Sequence, residues 1–132
     1  MYFHNLNPIA FKILGFEIYW YSLAYLFGFI ISFFYSNYLI KKKLIHLKRE
    51  IIDDLITYAI IGVVLGGRLG YVLFYNLSFY INNPIEIIKI WNGGMSFHGG
   101  LIGLITSTYL VSYNKKESLV ELLNLVACCG PI

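Results

Sequence analysis

The sequence predicts an all-α, polytopic membrane protein. Of its 132 residues, 58% are hydrophobic and only 13% are charged, with a mean hydropathy of +0.68. A soluble domain of ordinary composition carries about 25% charged residues. The apolar residues are also gathered into long uncharged runs that short polar stretches separate. Runs of this kind are typical of helices that cross a lipid bilayer.

Four apolar runs define the predicted helices. The first covers residues 18–40 without a charged residue, and a helix of that length, rising about 1.5 Å per residue, crosses a hydrocarbon core of about 30 Å. The second covers residues 55–77, with Asp53 and Asp54 as the expected N-cap and first turn of its helix. The third covers residues 95–113. The fourth covers residues 119–132, fewer than the roughly 20 residues that a span needs. We therefore expect one membrane domain, residues 1–132, with three full transmembrane helices and a truncated fourth.

The distribution of basic residues predicts the orientation of these helices. Seven of the ten Lys and Arg residues lie in the connections after the first and third runs. The N-terminal segment and the 78–92 connection carry one each. Because cytoplasmic connections are enriched in Lys and Arg, we expect the N-terminus to lie outside. Trp20 and Trp91 then both fall at the outer interface, where tryptophan is common.

Small residues recur at helical spacing in the second and third runs. Gly62, Gly66 and Gly70 lie four residues apart, and Gly99 and Gly103 repeat that spacing. Residues four apart share one face of a helix, and glycine allows two helix backbones to approach closely. The pattern predicts close packing of these helices.

One stripe of the first run is polar or small, whereas the rest of its surface is apolar. In a bilayer the apolar surface faces lipid, so the stripe should face other helices or a cavity. Its members are Tyr21, Tyr25, Gly28, Ser32, Tyr35 and Ser36.

Arg68 is the least expected residue of the second run. Placing an arginine at the centre of a membrane helix costs at least about 2.5–3.5 kcal/mol, and the three complete runs contain no carboxylate to pair with it. We therefore expect a functional role, with a lipid phosphate as the counter-charge. The alternative, a structural partnership with a backbone carbonyl, stays open.

Asn83 and Pro84 are typical of an N-cap followed by the first residue of a helix, so we expect a short helix over residues 85–91.

The third run begins with a glycine-rich turn and a histidine. Asn92, Gly93 and Gly94 favour a sharp reversal of the chain, because glycine adopts positive φ without steric cost. His98 then falls in the first turns of a helix, and its reference pKa of about 6.5 suits a general base. A histidine that only hydrogen-bonds a neighbouring helix is an equal alternative. Together with Tyr21 and Arg68, His98 predicts a shared cavity for an anionic lipid headgroup.

Three segments resemble the bacterial prolipoprotein diacylglyceryl transferases. They are WY at residues 20–21, GGRLGYVLFYN at residues 66–76 and GGMSFHGG at residues 93–100. The resemblance covers nearly the whole chain as the N-terminal portion of the family's length. It implies a seven-span enzyme of the bacterial cytoplasmic (inner) membrane with an outside N-terminus.

The resemblance also implies a reaction and the residues that perform it. The family transfers the diacylglyceryl group of phosphatidylglycerol to the lipobox cysteine thiol of a prolipoprotein signal peptide. His98 would be the catalytic base and Arg68 would neutralise the departing phosphate. The other implied substrate-binding residues are Tyr21, Tyr71, Tyr75 and Gly99. Neither a metal nor an organic cofactor is implied.

Two other classes of function stay open. We expect the chain to end inside its fourth helix. In the first class, it would be a non-catalytic remnant, or one half of a split enzyme with a separate C-terminal half. Alternatively it would be a small transporter or channel subunit in which Arg68 lines the path, although the glycine-rich segment 93–100 argues against this. Nucleic acid is not an expected partner, because the sequence has no basic stripe interleaved with aromatic residues in a polar context.

Overall fold

A computed structural model describes residues 9–13 and 16–129 of the chain. The described part is mostly helical, which confirms the helical class, and it also contains two short strands. The elements in chain order are β1 Ile9–Ile13, β2 Phe16–Tyr19, α1 Trp20–Lys41, α2 Arg49–Tyr75, α3 Leu77–Asn82, two 3-10 helices at Pro84–Ile87 and Ile90–Asn92, α4 Phe97–Lys115 and α5 Leu119–Cys129.

The strands β1 and β2 form an antiparallel hairpin that the sequence did not predict. Backbone pairs join Lys12 to Glu17 and Ile9 to Tyr19, with a register shift between Ile9 and Phe11. Segments this short have too little periodicity to distinguish a strand from an irregular segment. The hairpin leads directly into α1, because Tyr19 ends β2 and also serves as the N-cap residue of α1.

Two helices of the described chain are long and apolar enough to cross a membrane. They are α1 with 22 residues and α2 with 27, which correspond to the first two predicted spans. Only 6% of the most apolar 18-residue stretch of α1 is buried, and large side chains such as Phe27 and Phe34 are exposed. Such exposure of a whole apolar helix is typical of a surface that faces lipid or further helices.

The third predicted span forms α4, a helix of 19 residues that is not among these two candidates. Many of its residues are glycine, serine or threonine, and the buried Gly99, Gly100 and Ser107 lie against α2. The first eleven residues of the predicted fourth span form α5, and the rest lie outside the described residues. The number of complete spans and the outside N-terminus therefore stay predictions.

The closest helix contact lies between α2 and α4, where the two predicted glycine stripes meet. A Cβ atom on Gly70 would lie 2.8 Å from the Cα of Gly99, and one on Gly66 would lie 3.0 Å from the Cα of Gly103. A Cβ on Gly62 would overlap the carbonyl oxygen of Gly103. The backbones therefore touch at a distance that only glycine permits, which confirms the predicted close packing.

A hydrophobic core forms at the other end of this helix pair, where α1, α2, α4 and α5 meet. Its buried members are Leu39, Leu47, Ile51, Ile52, Leu55, Val111, Leu122 and Leu125. This packing begins before residue 55, so α2 begins at Arg49, six residues ahead of the predicted span. The sequence favoured Asp53 and Asp54 as the N-cap and first turn of this helix. That prediction is wrong, and Asp54 instead pairs with Lys115 at the end of α4.

We predict that Gly66→Ala lowers the free energy of unfolding by about 1–3 kcal/mol, because the added methyl group overlaps the α4 backbone. The matched control is Gly28→Ala in α1, where an added Cβ meets no atom within 4 Å. There the greater helix propensity of alanine should leave stability unchanged or raised by up to about 1 kcal/mol. Detergent-induced unfolding followed by helical circular dichroism measures both. Equal stability of the two variants would contradict the prediction.

Candidate functional site

The connection from α3 to α4 folds around the side chain of Arg68. The segment contains the two 3-10 helices, the first of which begins with Pro84 as the sequence predicted. The expected short helix over residues 85–91 is therefore replaced by two shorter helices. The connection reverses at Gly93 and Gly94, which have φ values of 79° and 82° and confirm the predicted glycine turn. These conformations favour glycine because other residues meet steric hindrance there.

Arg68 is buried, with 4% of its surface exposed, and donates five hydrogen bonds to backbone carbonyl oxygens. Nε donates to Ile87 at 2.9 Å. The two remaining nitrogens donate to two carbonyls each: Nη1 to Gly93 (2.5 Å) and Gly94 (3.2 Å), and Nη2 to Glu86 (2.6 Å) and Lys89 (3.1 Å). Five carbonyl dipoles thus face one positive charge. Within the described residues, Arg68 has a backbone counterpart instead of a carboxylate.

Tyr80 of α3 lies against this guanidinium group, and two tyrosines of α2 pack beside it. The Tyr80 ring lies 5.3 Å from the guanidinium carbon, a distance at which a cation and an aromatic face attract. Tyr71 packs edge-on to Tyr80 and stacks on Tyr75 with ring centroids 5.4 Å apart. The Tyr71 ring also occupies the space beside Gly94, where a Cβ would lie 2.5 Å from a ring carbon. The predicted residues Arg68, Tyr71 and Tyr75 therefore belong to one cluster.

The first turn of α4 is fixed by Ser96 and places His98 at the surface. The Ser96 amide donates to the Gly67 carbonyl at 2.8 Å, and its hydroxyl accepts from the Gly99 amide at 3.3 Å as the N-cap. His98 is the second residue of the helix, as expected, and its side chain is exposed beside Phe97. The first amide groups of a helix lack intrahelical partners and favour a negative charge. His98 therefore lies at the amide end of α4.

A cavity of about 510 Å³ opens between α1 and the other long helices. Five members of the predicted stripe line it: Tyr21, Tyr25, Gly28, Ser32 and Ser36. This confirms that the stripe faces a cavity. The opposite wall is almost entirely apolar and consists of Ile52, Leu55, Ile56, Ala59, Val63, Leu104, Leu125, Val126 and Cys129. A volume between about 300 and 1,000 Å³ is usual for a small-molecule site.

The structure does not bring all the predicted site residues into one cavity. Tyr21 lines the cavity, whereas Arg68 and His98 do not. A chain of contacts nevertheless joins the two regions: Tyr21 stacks on Tyr19 at 5.4 Å, and the Tyr19 ring lies beside Gly93, whose carbonyl accepts from Arg68. Gly99 is buried in the α2–α4 crossing. The substrate-binding and catalytic roles of these residues stay predictions.

Sequence reasoning missed three contributors to this region. Tyr80 covers the Arg68 guanidinium, Ser96 caps α4 and Tyr19 contacts the glycine turn. Ser96 had a readable signal, because serine just before an apolar helical run is a preferred N-cap. Tyr19 and Tyr80 had none, since both make their contacts across distant parts of the chain. Among the described residues, no group of three or more His, Cys, Asp or Glu side chains could hold a metal ion.

An exposed apolar helix, a glycine-mediated helix crossing and a cavity with one apolar wall are together typical of a helical membrane protein that binds an apolar or amphipathic ligand. Comparison with known proteins identifies the family. Residues 8–132 match the family model of prolipoprotein diacylglyceryl transferase. The chain belongs to this family.

Several relatives are similar over the whole chain. The phosphatidylglycerol–prolipoprotein diacylglyceryl transferase of Rickettsia canadensis (strain McKiel) is 46% identical over 132 residues, which are 100% of this chain and 51% of the relative. The protein of the same name from Rickettsia typhi (strain ATCC VR-144 / Wilmington) is 48% identical over 128 residues, or 97% of this chain and 49% of the relative. The chain thus spans about half the length of the curated relatives it matches.

We predict that the connection loosens in acid because of Glu86. The hydrogen bond from Lys89 holds the pKa of the Glu86 carboxyl below its usual range, and Asn92 adds a smaller contribution in the same direction. A lowered pKa in the folded state stabilises the fold above the ordinary glutamate pKa of about 4.3, and the stabilisation is lost as the pH falls through the lowered value.

Amide hydrogen-exchange protection over residues 84–92 should therefore decrease below a pH of about 4. Glu86→Gln should remove this decrease, whereas Glu117→Gln, beyond the other end of α4, should retain it. Protection that stays constant with pH in the unsubstituted chain would show that the Glu86 contacts do not stabilise the connection.

Proposed function

We propose that the chain contributes to transfer of a diacylglyceryl group from phosphatidylglycerol to the cysteine thiol of a prolipoprotein. The observation that carries the proposal is the 46% identity to a transferase of this name along all 132 residues. The bacterial cytoplasmic membrane, with several spans and an outside N-terminus, is the proposed location. The exposed apolar surfaces of α1 and α2 support a membrane environment.

We propose that the cavity between α1 and α2 receives the acyl chains of the lipid. Its apolar wall suits hydrocarbon, and the stripe on α1 places hydroxyl groups along the opposite side. Tyr21 lies in the cavity lining and also stacks on Tyr19, which lies beside the glycine turn. A lipid bound with its chains in the cavity would extend its headgroup toward this turn. Tyr71 and Tyr75 would line the headgroup region.

His98 is the proposed general base for the prolipoprotein thiol. A free thiol has a pKa of about 8.5, so little thiolate exists at neutral pH without a base. In the proposed step the imidazole takes the thiol proton, and sulfur attacks the glyceryl carbon that carries the phosphate ester. A carbon–sulfur bond forms and the carbon–oxygen bond breaks. Glycerol phosphate leaves with the bonding electrons, and its negative charge would be stabilised near the start of α4.

We predict that His98→Ala lowers turnover at least about tenfold. The matched control is His46→Ala, because His46 is also an exposed histidine and lies in the connection between α1 and α2. The assay supplies phosphatidylglycerol and a lipobox peptide with a single cysteine, and measures the diacylglyceryl mass added to the peptide. Membranes contain the chain alone, or the chain together with the remaining half of the Rickettsia canadensis relative.

A mass shift that His98→Ala abolishes and His46→Ala preserves would support the proposed function. Activity only in the presence of the added half would identify the chain as one half of a split site. No mass shift in either membrane, with the inserted proteins present, would favour a non-catalytic remnant. Unchanged turnover in His98→Ala, at an equal amount of protein, would exclude the proposed role of His98.

We predict that Gly28→Phe weakens binding of phosphatidylglycerol by about tenfold or more. Gly28 lines the cavity, and an added Cβ there meets no atom within 4 Å, so a phenyl ring at this position would enter the proposed acyl site. Leu26→Phe adds a ring to the exposed outer face of the same helix and should leave binding unchanged. Titration of labelled lipid in detergent measures both. Equal affinity of the two variants would place the acyl chains elsewhere.

A further inference from the structure

We propose that Arg68 is a positioning residue, which holds the α3–α4 connection and the first turn of α4 in place, and that its guanidinium is not a ligand of the substrate phosphate. The proposal rests on the proposed function for its catalytic consequence. Its structural part stands on the contacts of Arg68 alone.

The donor capacity of Arg68 is fully used inside the protein. A guanidinium group has five N–H bonds in one plane and no acceptor. The five hydrogen bonds of Arg68 go to five different carbonyl oxygens, with two from each terminal nitrogen and one from Nε. No N–H bond is left for a phosphate oxygen in this conformation. Binding a phosphate directly would require Arg68 to release part of the connection.

The five acceptors lie close together in the chain. They belong to residues 86, 87, 89, 93 and 94, so a stretch of nine residues turns around one guanidinium group. The regular structure of this stretch is limited to short 3-10 turns, and of the five acceptors the Lys89 carbonyl also accepts from the Asn92 amide. Charge-assisted hydrogen bonds are stronger than neutral ones. Arg68 therefore supplies partners to a segment whose own secondary structure is limited to two single-turn helices.

The contacts of Arg68 continue directly into the proposed catalytic region. Arg68 Nη1 bonds the carbonyls of Gly93 and Gly94, and two residues later the Ser96 amide bonds the carbonyl of Gly67. Neighbouring residues of α2 thus hold the chain on both sides of Met95. Ser96 then caps the helix that carries His98. The position of His98 relative to α2 consequently depends on Arg68, although the two side chains serve different functions.

The substitution Arg68→Lys distinguishes a positioning role of Arg68 from a phosphate-binding role. Lysine keeps the positive charge and binds phosphate well as a point charge, but it has three donors and no planar fork. A lysine ammonium group therefore cannot donate to all five carbonyl oxygens that lie around the plane of the guanidinium group. If Arg68 positions the connection, Arg68→Lys should be as defective as Arg68→Gln. If Arg68 binds phosphate, Arg68→Lys should retain much of the function that Arg68→Gln loses.

The first measurement does not depend on enzyme activity. Hydrogen exchange with mass spectrometry on the chain in lipid nanodiscs should show about tenfold faster exchange over residues 84–96 in both Arg68→Lys and Arg68→Gln. Peptides from the core at residues 51–55 should be unchanged, which excludes general unfolding. Arg49→Lys, at the exposed start of α2, is the matched control and should leave residues 84–96 protected. Unchanged exchange in Arg68→Lys would overturn the proposal.

The second measurement separates positioning from substrate binding in the transferase assay. Arg68→Lys should lower kcat at least about tenfold while the KM for phosphatidylglycerol changes by less than about threefold. An increase in KM with an unchanged kcat, or near-normal turnover in Arg68→Lys, would overturn the proposal in favour of phosphate binding. If the unsubstituted chain has no activity in any membrane, the proposed function fails. The exchange measurement then still decides the structural role.

Discussion

The close contact of α2 and α4 through glycine is the constraint on which the rest of the structure depends. Gly66 and Gly70 on α2 lie against Gly99 and Gly103 on α4, and no larger residue fits between the backbones. Because the two helix backbones touch here, the residues of α2 and α4 near the crossing are held at fixed positions relative to one another. Arg68 lies within this part of α2, and His98 lies one residue before the first glycine of α4. The crossing therefore determines the spacing of the two most functionally suggestive residues.

The hydrogen bonds of Arg68 meet two requirements at once, one of the buried arginine and one of the α3–α4 connection. The charge of the arginine needs partners in an apolar environment, and the irregular α3–α4 connection needs donors for its carbonyl oxygens. Five hydrogen bonds meet both requirements, and Tyr80 covers the guanidinium face. A carboxylate partner is unnecessary in this arrangement, since the carboxylate of Glu86 bonds Lys89 and Asn92. Arg68 thus links α2 to the α3–α4 connection.

The cavity and the glycine turn are adjacent regions with different chemistry. The cavity is predominantly apolar, whereas the turn presents backbone groups, tyrosines and the start of a helix. An amphipathic lipid has the same division between acyl chains and headgroup. Tyr21 and Tyr19 connect the two regions by ring stacking. This division, together with the family to which the chain belongs, is the basis for proposing lipid transfer instead of a transport path.

The sequence by itself determined the helices, their glycine faces, the polar stripe of α1 and the glycine turn before His98. These features depend on periodicity and on the conformational freedom of glycine, which are properties of neighbouring residues. It also identified Arg68 as costly, but it favoured a lipid phosphate as the partner and kept a backbone carbonyl only as the alternative. Only the tertiary structure decided that partner, because the carbonyls of residues 86–94 reach Arg68 from 18 to 26 positions away. The early start of α2, the hairpin and the separation of Tyr21 from Arg68 likewise depend on contacts between distant segments, which no local pattern encodes.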